Sequence, residues 1–142
     1  MKFYITGTRR GLGKALVEKY GNCGSLDQCD VFINCKHDQF NQINLLYEAA
    51  SLNKRIINIG SCSPDTYKSE PHIYAVQKKA LDTANEQLFY QGTATTVIRF
   101  GLLDTERVKD INKPKINLND AIDIISWVLS SKYLIKDITI KP

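Results

Sequence analysis

The chain has 142 residues, 43% hydrophobic and 24% charged, which fits one compact domain with its own core. Its formal charge is +4 with no dense basic run. The nearest approach, Lys109 to Lys115, is broken by Asp110, Ile111, Asn112 and Pro114, which argues against a nucleic-acid partner and suits a mildly basic pocket for an anionic ligand.

No apolar run approaches the roughly 20 residues needed to span a bilayer, and MKFYITGTRRG does not read as a signal peptide. No membrane role and a reduced, cytoplasmic setting are therefore expected. Cys23, Cys29, Cys35 and Cys62 form no C-x-x-C pair, and no His completes a ligand set, so no metal site is expected. Cys62 reads as a small buried thiol.

In chain order, Phe3-Tyr4-Ile5 is a short β-prone run. It leads into Thr6-Gly7-Thr8-Arg9-Arg10-Gly11-Leu12-Gly13 and then a helix with Leu12, Ala15, Leu16 and Tyr20 on one side. Glycines in such a turn let a phosphate approach the backbone amides, and the helix N-terminus offers free N–H groups to an anion. Arg9 and Arg10 add two cations there. The plainer alternative is an ordinary turn with surface arginines. Three glycines at this spacing between strand and helix favour dinucleotide binding.

Asn22 to Gln28 is a polar connection, and Asp30 to Cys35 reads as a buried parallel strand. A helix is predicted from about Asp38, as N-cap, to Leu52, with Phe40, Ile43, Leu46, Tyr47 and Ala50 at helical steps. Arg55 to Gly60 is a strand with Ser61 at its carboxyl end, followed by a loop at Ser63-Pro64-Asp65. The next helix runs from about Pro71 to Gln91, and Ala94 to Phe100 is again a strand. Thr105 to Lys115 is a short polar flap. A last helix spans about Asn117 to Ser131, with Trp127 off its apolar stripe, and a final strand is expected within Tyr133 to Ile140.

The chemistry centres on Tyr74 and Lys78. Four residues apart on a helix, they share a face one turn apart. An ammonium nearby favours phenolate over phenol, and a Tyr tuned that way can exchange a proton with an alcohol or carbonyl oxygen near neutral pH. Ser61, thirteen residues upstream of Tyr74, can hold the same oxygen by its hydroxyl. Such a pair alone is weak evidence, since solvated lysines beside packed tyrosines are common.

Thr6 to Leu16, TGTRRGLGKAL, resembles the TGxxxGxG cofactor turn of the short-chain dehydrogenase/reductase family. Ser61, Tyr74 and Lys78 match that family's order and its Ser-to-Tyr spacing. Val97 to Thr105 resembles the strand and Pro-Gly-x-x-x-Thr loop that embraces the nicotinamide, with Phe100 in place of Pro. Asp30 to Cys35 resembles the family's Asp-x-Leu-Val-Asn-Asn strand, but Cys35-Lys36-His37 departs from its Asn-Ala-Gly; His37 reads as a loop histidine.

The resemblance implies an α/β fold: a reduced Rossmann-like, doubly wound parallel sheet of about five strands flanked by helices, as one domain. It implies an NAD(P)-dependent oxidoreductase interconverting a carbonyl and an alcohol of a small-molecule substrate. Tyr74 is then the acid/base, Lys78 its partner and a ribose ligand, and Ser61 the oxygen holder. Gly7, Thr8, Arg9, Arg10, Gly11, Leu12, Gly13, Asn34, Gly101 and Thr105 join Tyr74 and Lys78 at the cofactor. The alternative is a non-catalytic nucleotide-binding, regulatory or scaffold protein of the same fold. An epimerase-like relative is a third class, on Asn44 to Ala50. An active-site Asn common in the family would fall near Gln39 or Asn41, counting back from Ala49-Ala50.

Between Tyr20 and Asp30 there is no room for the family's second strand, its helix and its third strand, which cradle adenosine. The expected strand order is therefore the first strand, then Asp30, Arg55, Ala94 and Ile138. The first strand becomes an exposed edge, which predicts a homo-oligomer. Cofactor affinity should be weak. Arg10, at a position where relatives carry Arg for a 2′-phosphate, favours NADP(H) over NAD(H). In a competing alignment, Val31 to Cys35 is the second strand and Asp38 the ribose carboxylate.

Overall fold

Five short runs rich in β-branched and aromatic residues pair into a single parallel sheet. The structure, a computed structural model, describes residues 1–62 and 71–142, so the expected loop at Ser63-Pro64-Asp65 lies outside the described residues. The strands are β1 (Phe3–Ile5), β2 (Val31–Asn34), β3 (Arg55–Ser61), β4 (Thr95–Phe100) and β5 (Asp137–Ile140), in the spatial order β1-β2-β3-β4-β5. That is the order expected from the sequence. It also removes the competing alignment. A second Rossmann strand would lie on the far side of β1 from β3, whereas β2 lies between them.

The helices are α1 (Gly11–Tyr20), α2 (Asn41–Ser51), α3 (Ile73–Tyr90) and α4 (Leu118–Ser130). Leu12 and Leu16 of α1 join Ala121, Ile122, Ile125 and Val128 of α4 over one face of the sheet. Leu46 and Ala49 of α2 join Leu81, Ala84 and Leu88 of α3 over the other. Central strands buried on both faces read as continuous apolar runs, as Val31-Phe32-Ile33 and Ile56-Ile57 do.

The chain steps one strand in the same direction at each parallel crossover. The hand of each crossover then depends only on which face its helix covers. The α1 and α4 crossovers are therefore of opposite hand to the α2 and α3 crossovers, so one pair departs from the right-handed rule.

Element ends differ from expectation in three places. Phe40, not Asp38, stands at the N-cap of α2 with no side-chain cap, and the Asp38 carbonyl instead accepts from the Asn41 amide at 2.9 Å. The last strand begins only at Asp137, leaving Tyr133 and Leu134 exposed. The flap is a 3-10 turn at Glu106–Val108, tied down by the parallel bridge of Leu103 to Ile116. Trp127 is 56% exposed, in keeping with its place off the α4 stripe.

The expected open edge at β1 is closed. The Asn22 side chain acts like a neighbouring peptide: its Oδ1 accepts from the Ile5 amide at 3.3 Å and its Nδ2 donates to the Ile5 carbonyl at 3.1 Å. The Cys23 amide donates to the Phe3 carbonyl at 2.8 Å. Residues of the connection after α1 thus occupy groups that would otherwise recruit another strand. Asn22→Ala leaves the Ile5 groups without these partners, which costs about 1–2 kcal/mol and lowers Tm by roughly 3–8 °C. Light scattering of this variant should show larger species. Unchanged melting and unchanged size would mean that the cap carries no energy.

Candidate functional site

The glycine turn has the close contacts its residues require. Gly7 and Gly11 adopt φ +71° and +62°, which L side chains rarely take. A Cβ on Gly13 would collide with the Gly7 carbonyl, so α1 can lie against the turn only with glycine there. Arg10 stands at the N-cap of α1 with no side-chain cap, and the first turn carries no acidic residue. The leading amides of α1 are thus without a capping side chain, the arrangement that suits an anion. Arg9 and Arg10 are exposed beside it, while the Leu12 side chain is buried in the core, leaving its backbone to meet a ligand. Thr8 is half-buried in the turn.

Two loops close on this turn. Thr6 Oγ1 accepts from the Cys35 and Lys36 amides at 3.0 and 3.1 Å, fixing the loop after β2. A Cβ on Gly7 would stand 3.1 Å from Lys36 Cα, so that loop passes directly against the turn. On the other side, a Cβ on Gly11 would be 3.5 Å from Thr105 Cγ2, which brings Thr105 to the same place. Gly101 is different. Its amide donates to the Ile140 carbonyl at 2.7 Å, and a Cβ on it would meet Pro142, so it is hemmed in by the end of the chain.

Tyr74 and Lys78 lie on the first two turns of α3. Lys78 is only 3% exposed, and its Nζ sits 5.7 Å from the centre of the Tyr74 ring. The ammonium donates to Gln42 Oε1 at 2.9 Å and to the Ile59 carbonyl at 3.1 Å. Burial pushes it down to about 8, against the opposing pull of Asp82. Burial likewise pushes the Cys35 thiol up to about 11, so it is neutral at pH 7 and no nucleophile. Ser61 ends β3 two residues after Ile59 and pairs in register with Phe100. It therefore shares the carboxyl end of β3 with the carbonyl that binds Lys78.

His37, read from the sequence as a loop residue, packs its ring edge-on against Tyr74 with centroids 4.6 Å apart. Its Nδ1 is buried without a partner. Burial holds His37 below its ordinary range, the Lys78 charge adds to this, and a hydrogen bond with Gln77 opposes both. The loop after β2 thus touches Gly7 through Lys36 and Tyr74 through His37. It joins the glycine-turn side of the crevice to the side that holds Tyr74 and Lys78.

Asn34, expected at the cofactor, is instead fully buried. Its Nδ2 donates to the Gln42 carbonyl at 2.8 Å and to Asn58 Oδ1 at 2.9 Å. Asn58 Nδ2 donates in turn to Asn85 Oδ1 and Thr95 Oγ1, both at 3.1 Å. These side chains form a polar seam between the sheet and the α2–α3 layer. Neither Gln39 nor Asn41 approaches Lys78 in any contact described; the residue that does is Gln42. A signal for it was present in the sequence, because Gln42, Leu46 and Ala49 fall on the buried side of α2 at helical steps, and a polar residue there needs a partner.

Among the described residues, no group of three or more His, Cys, Asp or Glu could hold a metal ion, and no helix is long and apolar enough to cross a membrane.

No protein-family model and no curated protein matches the sequence. Solved structures match throughout. A short-chain dehydrogenase from Burkholderia cenocepacia J2315 in complex with NADP superposes with a TM-score of 0.71 at 17% identity, the match spanning 98% of this chain and 89% of that one. The closed form of a serine dehydrogenase complexed with NADP+ gives 0.75 at 14% identity, spanning 99% and 94%. A 4-hydroxyisoleucine dehydrogenase mutant complexed with NADH and succinate gives 0.75 at 16% identity, spanning 99% and 97%. At such identities the likeness is one of architecture, and it accords with the sheet order, the glycine turn and the position of α3: this chain has the short-chain dehydrogenase fold.

Proposed function

We propose that the chain is an NAD(P)-dependent oxidoreductase that interconverts a carbonyl and an alcohol on a small molecule. The observation that carries this reading is the ammonium of Lys78, buried one helical turn from Tyr74 at the carboxyl end of β3 and joined to the glycine turn by the loop at 35–38. In parallel α/β sheets, ligands gather outside that end. A buried lysine with neutral acceptors is a costly feature for stability alone, and such groups concentrate at functional sites.

The residues present fit a nicotinamide dinucleotide at its pyrophosphate. Gly7, Gly11 and Gly13 leave no side chain over the turn, and the start of α1 supplies uncapped amides. Arg9 and Arg10 supply positive charge, and Arg10 favours a 2′-phosphate, hence NADP(H) over NAD(H). The adenosine end meets less protein, because Asn22 and Cys23 cover the β1 edge where the family has a further strand.

A bound nicotinamide supplies or accepts the hydride at the carbonyl carbon. The chain's own residues handle the proton. Tyr74 donates its phenolic proton to the carbonyl oxygen as it becomes a hydroxyl, and takes it back in the reverse direction. The Lys78 charge beside the ring stabilises the phenolate left behind. Ser61 donates a hydrogen bond to the same oxygen and fixes its position. His37, packed on the Tyr74 ring, keeps water from that face.

Tyr74→Phe should reduce carbonyl reduction about 100-fold or more while leaving cofactor binding intact; equal turnover in a carbonyl screen would refute the proton role. In a fluorescence or calorimetric titration, NADPH should bind more tightly than NADH, and Gly11→Asp should abolish both by strain and charge. Tighter NADH binding would reverse the preference.

Reduction should fall through a midpoint near 8 as Lys78 loses its charge. The same titration affects folding. The unfolded lysine titrates at 10.5 and the folded one at about 8, so between these values the unfolded chain binds more protons and stability rises with pH. Denaturant melts of wild type against Lys78→Met should diverge in favour of wild type over that window. A constant difference would mean that Lys78 titrates normally.

A further inference from the structure

The side of Lys78 away from Tyr74 is held by an amide whose orientation the fold dictates. Gln42 Nε2 donates to the Asn34 carbonyl at 2.7 Å and to the Ile59 carbonyl at 3.1 Å. Its own backbone carbonyl accepts from Asn34 Nδ2 at 2.8 Å, which anchors the first turn of α2 to the end of β2. Turning the amide over would press Oε1 against two carbonyl oxygens and an NH2 against an ammonium. Oε1 is therefore committed to Lys78, at 2.9 Å. Gln42 is 2% exposed, so that oxygen is shielded from bulk solvent.

We infer that Gln42 is a positioning residue that pins the Lys78 ammonium beside Tyr74 and leaves it one N–H with which to meet the crevice. An ammonium has three donors. Gln42 Oε1 and the Ile59 carbonyl take two of them. A ligand hydroxyl group is then met by a single hydrogen bond from this lysine and not by a fork of two, and the charge cannot swing away from the Tyr74 ring. The importance of this arrangement to catalysis rests on the oxidoreductase reading; the arrangement itself does not.

The groups around the ammonium set its charge. Asp82 on α3 pulls towards the protonated form, the neutral Cys35 thiol stands at the end of β2, His37 on the loop after β2 feels the ammonium's field, and Tyr74 lies across the ring contact. Gln42 contributes the nearest acceptor. An apolar side chain of similar length would remove that acceptor, whereas a carboxylate would set an oxygen where Nε2 now donates to two carbonyls.

The test is an NMR titration of the Lys78 side chain in the ligand-free protein, in wild type, Gln42→Met and Gln42→Leu. Relative to wild type, the midpoint should fall by about one pH unit when the acceptor is removed. The sign distinguishes positioning from damage, since a loosened fold would hydrate the lysine and raise the midpoint. If Gln42→Met does not fold, Gln42→Leu decides: an unmoved or raised midpoint overturns the assignment. The measurement needs no cofactor and no turnover. Failure of the oxidoreductase reading would leave it standing, and failure here would leave that reading to be tested by Tyr74→Phe.

Discussion

The arrangement of the site depends on how an ammonium is kept inside the protein without a hydrogen-bonded carboxylate in the contacts described. Taking such an ion out of water costs several kcal/mol even after relaxation. Two hydrogen bonds to a charged donor return about 1.5–3 kcal/mol each. The shortfall is visible in Lys78 itself, held down at about 8. Its neutral acceptors must also be held in place, because an amide free to turn would present NH2 as readily as oxygen. The polar seam meets that need. Thr95 Oγ1 donates to Asn85 Oδ1, Asn58 donates to both, Asn34 donates to Asn58, and Asn34 and Gln42 lock each other through backbone and side chain. One charge near the crevice thus accounts for polar residues reaching well into the α2–α3 layer. Each side chain in that run has its orientation set by the next.

The hand of the crossovers shows how a narrow sheet keeps this arrangement. In a doubly wound fold the first half steps one way from the first strand and the second half steps the other way. Right-handed connections then put the helices of the two halves on opposite faces. With the second and third strands absent, α1 stays on its own face while the chain passes directly to the strand on the other side. That gives α1 a crossover of opposite hand to those of α2 and α3, as observed. The glycine turn sets the position of α1, because Gly13 packs against the Gly7 carbonyl and fixes the angle at which α1 leaves β1.

The strands and helices were legible in the sequence because each carries a strong local period. Val31-Phe32-Ile33 and Ile56-Ile57 are continuous runs, α4 has an apolar stripe, and glycine stands where the backbone must turn. What stayed hidden depends on contacts distant in sequence. Asn22 looks like any polar loop residue until β1, 17 residues away, places the Ile5 amide and carbonyl against its side chain. Gln42 breaks no local rule and acquires its role only when α3 brings Lys78 to it across 36 residues. Asn34 matches a motif position, and a motif does not reveal that its side chain turns into the polar seam. Asp38 failed as an N-cap for a smaller reason: the chain at Gln39 takes a left-handed φ of 53°, which delays the helix to Asn41.

The losses and the survivals fall on different sides of β1, and this bears on what the molecule can do. The crevice is assembled from the turn after β1, the loop after β2, the Ile59 carbonyl and Ser61 of β3, Thr105 beyond β4, Gln42 of α2, and Tyr74 and Lys78 of α3. None needs a strand outside β1. A sheet that ends at β1 keeps the placement of Tyr74, Lys78 and Ser61, and under the proposed function it gives up binding energy only at the distal part of a ligand. Binding energy realised far from the reacting atoms is what enzymes use to orient substrates. A site stripped of it must rely on groups already fixed before the ligand arrives, and a lysine fastened by Gln42 and a backbone carbonyl is such a group. Under the proposed function, preorganisation at Lys78 offsets what the shorter sheet gives up at the adenosine end.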